Sequence, residues 1–294
     1  MDEQDRLAER FETQRGHLRA VAYRMLGSLS DADDAVQEAW LRLSRVDSDT
    51  VENLPGWLTT VVSRVCLDIL RSRTTRREEP VGQTPPDPAG DTGDGTGPEP
   101  EALLVDSVGR AMLVVLDTLA PAERIAFVLH DMFAVPFDRI APLVERSPVT
   151  TKKLASRARH KVRGTPAVPA ADLARQRRVV DAFLAASRNG DLHALLAVLA
   201  PDVVRRADPA ALPPGAPTEL RGARSVAQGT LVFGRKARFA TPALVNGTVG
   251  ILVAPRGRLL LVLTLTVEGE RITAYEVIAD PEHVRHLDLA VLDA

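Results

Sequence analysis

The chain has 294 residues, with 37 Lys and Arg against 39 Asp and Glu, a formal net charge of −2 and 45% hydrophobic residues. At about 100–200 residues per domain this length argues for two or three compact units, and the near-neutral balance excludes a polycation, so any nucleic-acid surface must come from local segregation of charge. No apolar run approaches the roughly 18 residues of a bilayer span, the start MDEQDRLAER lacks an apolar signal core, and the single Cys66 excludes an internal disulfide framework or a multi-cysteine zinc site; a cytoplasmic location with no membrane partner is the expectation.

Residues 4–77 read as helical. Phe11, Leu18, Val21, Ala22 and Met25 fall at mixed steps of three and four, and Val36, Trp40 and Leu43 resume the pattern after the turn-like GSLSD, where Ser30 or Asp31 is the expected N-cap. A further helix over 54–73 opens with Pro55 in its first turn and carries Trp57, Val61, Val65 and Ile69 every fourth residue, a stripe most simply buried, with Ser63 and Arg64 on the side away from Trp57 and Val61. Cys66 lies within it and reads as a small buried hydrophobe. Arg71, Arg73, Arg76 and Arg77 close the helix, where cations either complement its dipole or face a nucleic acid.

The segment 78–101, EEPVGQTPPDPAGDTGDGTGPEPE, is too rich in Pro, Gly and acid to bury a core and reads as a flexible tether. Further helices follow over 101–163. The last two, PFDRIAPLV and PVTTKKLASRARHKVRG, are separated only by Glu145, Arg146 and Ser147, which suggests a helix-turn-helix. From Arg146 to Arg163 there are seven Lys or Arg residues and no Asp or Glu. Ser147 should cap the second helix ahead of Pro148, with Thr151, Leu154, Ala155, Ala158 and Val162 turned inward and the cationic face left outside.

After a second break at 164–171, the helix DLARQRRVVDAFLAASRNG ends at Gly190 and the short helix HALLAVLA follows it. The β-branched runs ARFATPALV, TVGILVAP, RLLLVLTLTVEG and RITAYEVIA, joined by NG, PRG and EGE turns, predict consecutive antiparallel strands. The third unit is therefore α+β. Asp202, Asp208, Glu276 and Asp280 have no spacing that implies an acid–base pair, so catalysis is not expected.

Together, LRAVAYRMLGSLSDADDAVQEAWLRL, GWLTTVVSRVCLDILRSR and LAPAERIAFVLHDMFAVPFDRIAPLVERSPVTTKKLASRARHKV resemble regions 2 and 4 of an extracytoplasmic-function (ECF) sigma factor, a promoter-recognition subunit of bacterial RNA polymerase. Residues 172–294 resemble the SnoaL-like cone fused to one branch of that family. The resemblance implies a multidomain protein: an all-α region 2 domain over 1–77, a linker over 78–101, an all-α region 4 helix-turn-helix domain over 102–163, a linker over 164–171 and a C-terminal α+β SnoaL-like domain over 172–294.

It also implies partners and roles. Asp34, Gln37 and Glu38 stand at the family's D-x-x-Q-E signature, which contacts the clamp helices of the polymerase β′ subunit, and their spacing puts them on one helix face. Region 4 would meet the β flap. Arg64, Arg71 and Arg73 would follow the melted minus 10 strand, with a base-reading pocket in the loop over 44–53. Thr150, Lys152, Lys153 and Arg157 would enter the major groove at the minus 35 element, with Arg159 and Lys161 on phosphates. Asp280, Pro281 and Leu287 echo a C-terminal segment through which the appended domain would contact and modulate the sigma unit. No cofactor or metal is implied, and an anti-sigma partner stays open. Three departures carry structural expectations: Pro142 should kink its helix or make it start late, Glu145 occupies a turn that often holds glycine, and Thr151 replaces an aliphatic residue. Two other readings are a helix-turn-helix regulator with a ligand-binding domain and a SnoaL-like enzyme with a helical accessory region.

Overall fold

The computed structural model describes residues 3–46, 51–78, 109–232 and 234–292. The expected tether at 78–101 and the centre of the 44–53 loop lie outside them, except for Glu78 and the loop's two ends. The chain forms two compact units, and their boundary differs from the expected one: residues 119–159 cluster with the N-terminal segment, whereas Gly109–Thr118 joins His160–Ala294.

In the first unit, helices α1 (Glu3–Leu26), α2 (Leu29–Leu43) and α3 (Leu54–Glu78) pack on one another. Leu18, Val21, Met25, Ala32, Ala35, Ala39, Leu43, Leu58 and Val62 are fully or almost fully buried between them. Phe11 and Trp40 meet with ring centroids 5.0 Å apart. The N-cap of α2 is Ser28 rather than Ser30 or Asp31: its hydroxyl accepts from the Asp31 amide at 3.4 Å. The buried stripe of α3 is rotated by about one residue from the expected one. Leu54, Leu58, Val62, Cys66 and Leu70 carry it, Val61 and Val65 flank it, and Trp57 and Ile69 are only half-buried. Ser63, expected outside, is buried, because its hydroxyl answers the Thr59 carbonyl at 2.6 Å and so enters the core with its polarity satisfied.

Helix α5 (Pro121–Phe127) packs on α3, and the π-helical turn Val128–Met132 packs on α1. Arg124, 1% exposed, donates Nε and Nη2 to the carbonyl of Arg24, both at 3.4 Å. The Arg24 guanidinium lies over the Phe133 ring at 5.1 Å, and its burial lowers its pKa from the ordinary arginine value. Helix α6 (Phe137–Ile140) neither kinks nor starts late at Pro142; it ends before it. Pro142 has no amide to offer, and beyond it the chain tightens into turns closed by Leu143 to Ile140 at 2.9 Å and Arg146 to Ala141 at 3.0 Å. Glu145 takes φ 54°, the left-handed conformation anticipated for that turn. Helix α7 (Pro148–Arg163) follows.

The second unit begins with α4 (Arg110–Asp117), which packs on the C-terminal sheet. Helices α8 (Ala170–Asn189) and α9 (Leu192–Val198) lead into β1 (Leu199–Ala207), so the last residues of the expected second helix are strand. Then come β2 (Glu219–Arg221), α10 (Ala223–Val232), α11 (Gly234–Ala237), β3 (Ala240–Val245), β4 (Thr248–Val253), β5 (Leu261–Glu268), β6 (Arg271–Ile278), α12 (Pro281–Arg285) and β7 (Leu289–Ala290). The sheet order is β2-β1-β6-β5-β4-β3-β7. Strands β3 to β6 pair consecutively and antiparallel as expected, while β1 runs parallel to β6. The β3–β4 turn is Asn246-Gly247 at φ 49° and 80°, the two positive values of a type I′ hairpin.

One sheet face packs under α8 and α9 around Val180, Phe183, Leu195, Val203, Val226, Ile251 and Ile272. On β3 and β4, Ala243 and Leu252 point to the other face and are also buried. Helix α4, with Leu113, Val114 and Leu116 buried, lies against β3, β7 and the 255–257 turn. Residues 164–171 are not a free linker. Gly164 sits so close to Ala290 that a Cβ would come within 2.5 Å of its methyl group, and the Ala167 amide donates to the Gly247 carbonyl at 2.7 Å.

Candidate nucleic-acid and polymerase interface

The acidic start of α2 is sorted by its neighbours. Asp31 pairs with Arg73, which also donates to the Leu26 carbonyl at 2.9 Å, and Asp33 pairs with Arg19 at 2.8 Å. Asp34 and Gln37 are exposed, and Asp34 has no ion-pair partner among the described residues. Glu38 is half-exposed and holds Arg42 one turn on at 2.9 Å. The three signature positions thus share an outward face of α2 beside a notch formed by Phe11, Val36 and Trp40.

On α3 the expected cations separate. Arg64 is exposed, and Arg71 is exposed with Glu145 at 3.4 Å. Arg73, expected on DNA, instead spends its guanidinium tying α3 to the α1–α2 corner. The side chains of Arg76 and Arg77 lie outside the described residues. Cys66 is fully buried, and desolvation pushes its thiol up to about 12.

Helix α7 starts where its sequence says it should. The Ser147 hydroxyl accepts from the Thr150 amide at 3.2 Å, and the Ser147 carbonyl accepts from both the amide and the hydroxyl of Thr151, at 2.9 and 3.0 Å. That back-bond lets a threonine occupy an inward position: Thr151 is fully buried beside Ala155 and Ala158. Leu154 is half-buried, and Val162, at the far end, is buried. Lys152, Lys153 and Arg157 are exposed. Thr150 is half-buried, its hydroxyl 2.9 Å from that of Ser147. Arg159 is held by Asp131 at 2.6 Å, and Lys161 is exposed but belongs to the stretch that clusters with the second unit.

Sequence reasoning missed Val149, 67% exposed at the second position of α7 and one helical turn before Lys152 and Lys153. Its signal was available, since it falls outside the inward stripe. At the other end of the chain, Asp280 caps α12, accepting from the amides of Glu282 and His283 at 2.7 and 3.2 Å, and these bonds hold its pKa below the ordinary carboxylate value. Pro281 is the first residue of that helix and Leu287 is half-buried just beyond it. Asp208 accepts from the amides of Ala279 and Asp280, both at 3.1 Å, so its carboxylate meets the backbone of Asp280, and each of the two carboxylates is occupied with backbone amides.

Residues 11–76 match the Sigma-70 region 2 family. The ECF RNA polymerase sigma factor SigJ of Mycobacterium tuberculosis is 37% identical over 287 residues, covering 92% of this chain and 91% of that protein. A probable ECF RNA polymerase sigma factor of the same species, SigI, is 33% identical and covers 96% of each chain. The crystal structure of M. tuberculosis SigJ superposes with a TM-score of 0.46 at 35% identity, over 94% of this chain and 97% of that one. The chain belongs to the ECF RNA polymerase sigma factors.

Proposed function

We propose that the chain binds core RNA polymerase and directs promoter-specific initiation by reading a minus 10 and a minus 35 element. The observation that carries the promoter reading is the outward face of α7: exposed Lys152, Lys153 and Arg157 on a helix capped by Ser147 directly after a tight turn. A helix presenting cations and no carboxylate suits the phosphate-flanked major groove, where Arg can grip a guanine edge in bidentate fashion. Val149 adds an apolar group suited to a thymine methyl. The face of Asp34, Gln37 and Glu38 would meet the β′ clamp helices, and region 4, the segment ending in α7, the β flap. Arg64 and Arg71 would follow the melted minus 10 strand. Arg73 serves the fold instead, and Arg159, with Nε and Nη2 on Asp131, would have only its remaining donors for a phosphate unless it leaves that partner.

The C-terminal unit, read as a SnoaL-like domain, would modulate initiation. Asp280, Pro281 and Leu287 remain its proposed contact segment, with Asp280 also fixing the local backbone. The relatives extend through this unit, which favours a sigma factor over a stand-alone helix-turn-helix regulator. The test is run-off transcription with purified core polymerase and a promoter library. Initiation that requires the chain and selects two spaced elements supports the reading. Duplex binding without polymerase, and no initiation with it, would replace it by the regulator.

A further inference from the structure

The second unit holds a cavity of about 100 Å³ lined from α8, α10, α11 and strands β1 and β3–β6. Its wall is mostly aliphatic and aromatic, with Phe183, Ile251, Leu263 and Val277 among its members. Among the described residues, the charged ones that line it are both cations, Arg205 and Lys236, and no Asp, Glu or His does so. Arg205 lies on the inward register of β1 two residues after the core residue Val203, and it is only 6% exposed. Its Nη2 donates to the Pro217 carbonyl at 3.2 Å, and among the described residues no carboxylate pairs with it. Beside it, the Tyr275 hydroxyl, 5% exposed, meets Thr230 Oγ1 at 2.9 Å, and that threonine also reaches the Val226 carbonyl.

A guanidinium has five N–H donors, and one neutral carbonyl neither uses them nor offsets the charge. Cations withdrawn from water are ordinarily paired, since an uncompensated one opposes folding. An arginine at a core-facing strand position, on the wall of an otherwise apolar cavity, therefore has the makings of half of an ion pair. We propose that this cavity binds a small monocarboxylate with an apolar body, its carboxylate on Arg205 and its hydrocarbon part against Ile251, Leu263 and Val277.

The size agrees. An engineered apolar cavity of about 150 Å³ takes benzene, and this one, at about 100 Å³, is smaller, so its occupant has on the order of four to six non-hydrogen atoms, as in a short branched acid such as isobutyrate. Lys236 and the half-exposed Ala237, Ala211 and Leu212 also line the cavity. The charge of Arg205 on the cavity wall favours an anion over a cation. A guanidinium binds a carboxylate through two parallel N–H donors, which fixes the orientation of the acid as well as its charge. This site does not depend on the promoter reading.

The experiment is calorimetric titration of the full-length protein with sodium isobutyrate and, separately, with uncharged isobutanol of similar size, alongside methyl NMR of labelled Ile, Leu and Val. Isobutyrate should bind at least ten-fold more tightly than the alcohol and shift the methyl resonances of Ile251 and Leu263. Arg205→Met should lose that preference at least ten-fold while still binding the alcohol, and Ile251→Phe should weaken both. The wild-type comparison needs no variant to fold. No isobutyrate binding at about 10 mM, a weak limit, equal binding of acid and alcohol, methyl shifts elsewhere, or a folded Arg205→Met that keeps the preference would each overturn the proposal.

Discussion

At the scale of single residues, neighbouring charges separate groups that look equivalent in sequence. Asp31, Asp33, Asp34 and Glu38 are all acids near the start of α2, yet the first two are tied to Arg73 and Arg19, while Asp34 and Glu38 face outward with Gln37. Replacing Asp34, Gln37 and Glu38 together by Ala is expected to abolish binding to core polymerase in a pull-down. The melting temperature should move by only a few degrees, because exposed substitutions cost within about 0.5 kcal/mol each and the Glu38–Arg42 pair contributes about 0.3–0.5 kcal/mol. The arginines of α3 divide in the same way. Arg73→Ala removes charge-assisted bonds and should lower stability by about 1.5–3 kcal/mol in urea unfolding. Arg64→Ala should leave unfolding unchanged and weaken promoter opening. Equal effects of the two on stability would contradict the division.

Cys66 carries a pH signature of its own. Its folded-state thiol stands at about 12, above the roughly 8.5 of an unfolded cysteine. The stabilisation from keeping it neutral is complete below about pH 8.5 and is lost as pH rises toward the folded value. Relative to Cys66→Ala, the wild type should therefore lose stability on the alkaline side by up to about 1.4 kcal/mol per pH unit. Denaturant titrations at pH 7, 9 and 10 measure it, and parallel pH profiles would show that the thiol is not buried as described. The same burial predicts that iodoacetamide labels the folded protein at pH 8 far more slowly than the unfolded chain.

At the scale of elements, the turn between α6 and α7 is closed by local backbone bonds but holds a residue in a costly conformation. Glu145 sits at φ 54°, a conformation that costs an ordinary residue about 1–2 kcal/mol. Glu145→Gly should stabilise the protein by up to about 1 kcal/mol, since the freedom glycine has when unfolded offsets part of the gain. The ion pair it loses with Arg71 is solvent-exposed and contributes little. A melting temperature that falls would show that the pair matters more than the backbone. On α7, Arg157→Ala should cost about 1–3 kcal/mol and relax selectivity at one base pair if it reads a guanine, whereas Lys153→Ala should weaken all sequences and lower the salt slope by about one. Binding measured on single-base promoter variants at several salt concentrations separates the two.

At the scale of the molecule, α5 packs on α3 around the buried Arg124, so the two proposed promoter-reading segments share one unit. Elements about two duplex turns apart lie roughly 70 Å from one another, whereas in this packing Arg71 and Glu145, at the ends of the two segments, lie 3.4 Å apart. On the proposed reading, the first unit would have to open to engage both. A cleavable bis-maleimide joining Arg71→Cys to Glu145→Cys should therefore stop initiation at promoters that need both elements, and cleavage should restore it. Cys66, buried, should not compete for the reagent. Full initiation by the crosslinked protein would refute opening. Removing everything after Gly164 is not a clean test of the C-terminal unit, because it strips α4 of the sheet it packs on.

Much of this architecture was legible in the chain because its signals are local. Ser147 before Pro148 marks the start of α7 through bonds that span four residues, Asn246-Gly247 marks a hairpin, and the spacing of Asp34, Gln37 and Glu38 places them on one face of a helix whatever that helix touches. Other features are decided over long distances. The α3 stripe is rotated by one residue because burial depends on which helices flank it. The segment RAMLVVLD is apolar on nearly every side and must be buried somewhere, but only the sheet it meets assigns α4 to the second unit. Strand β1, carrying Pro201 and two arginines, looks like no core strand until it lies beside β6. Only then does the alternation turn Arg205 inward and give the apolar cavity its buried charge.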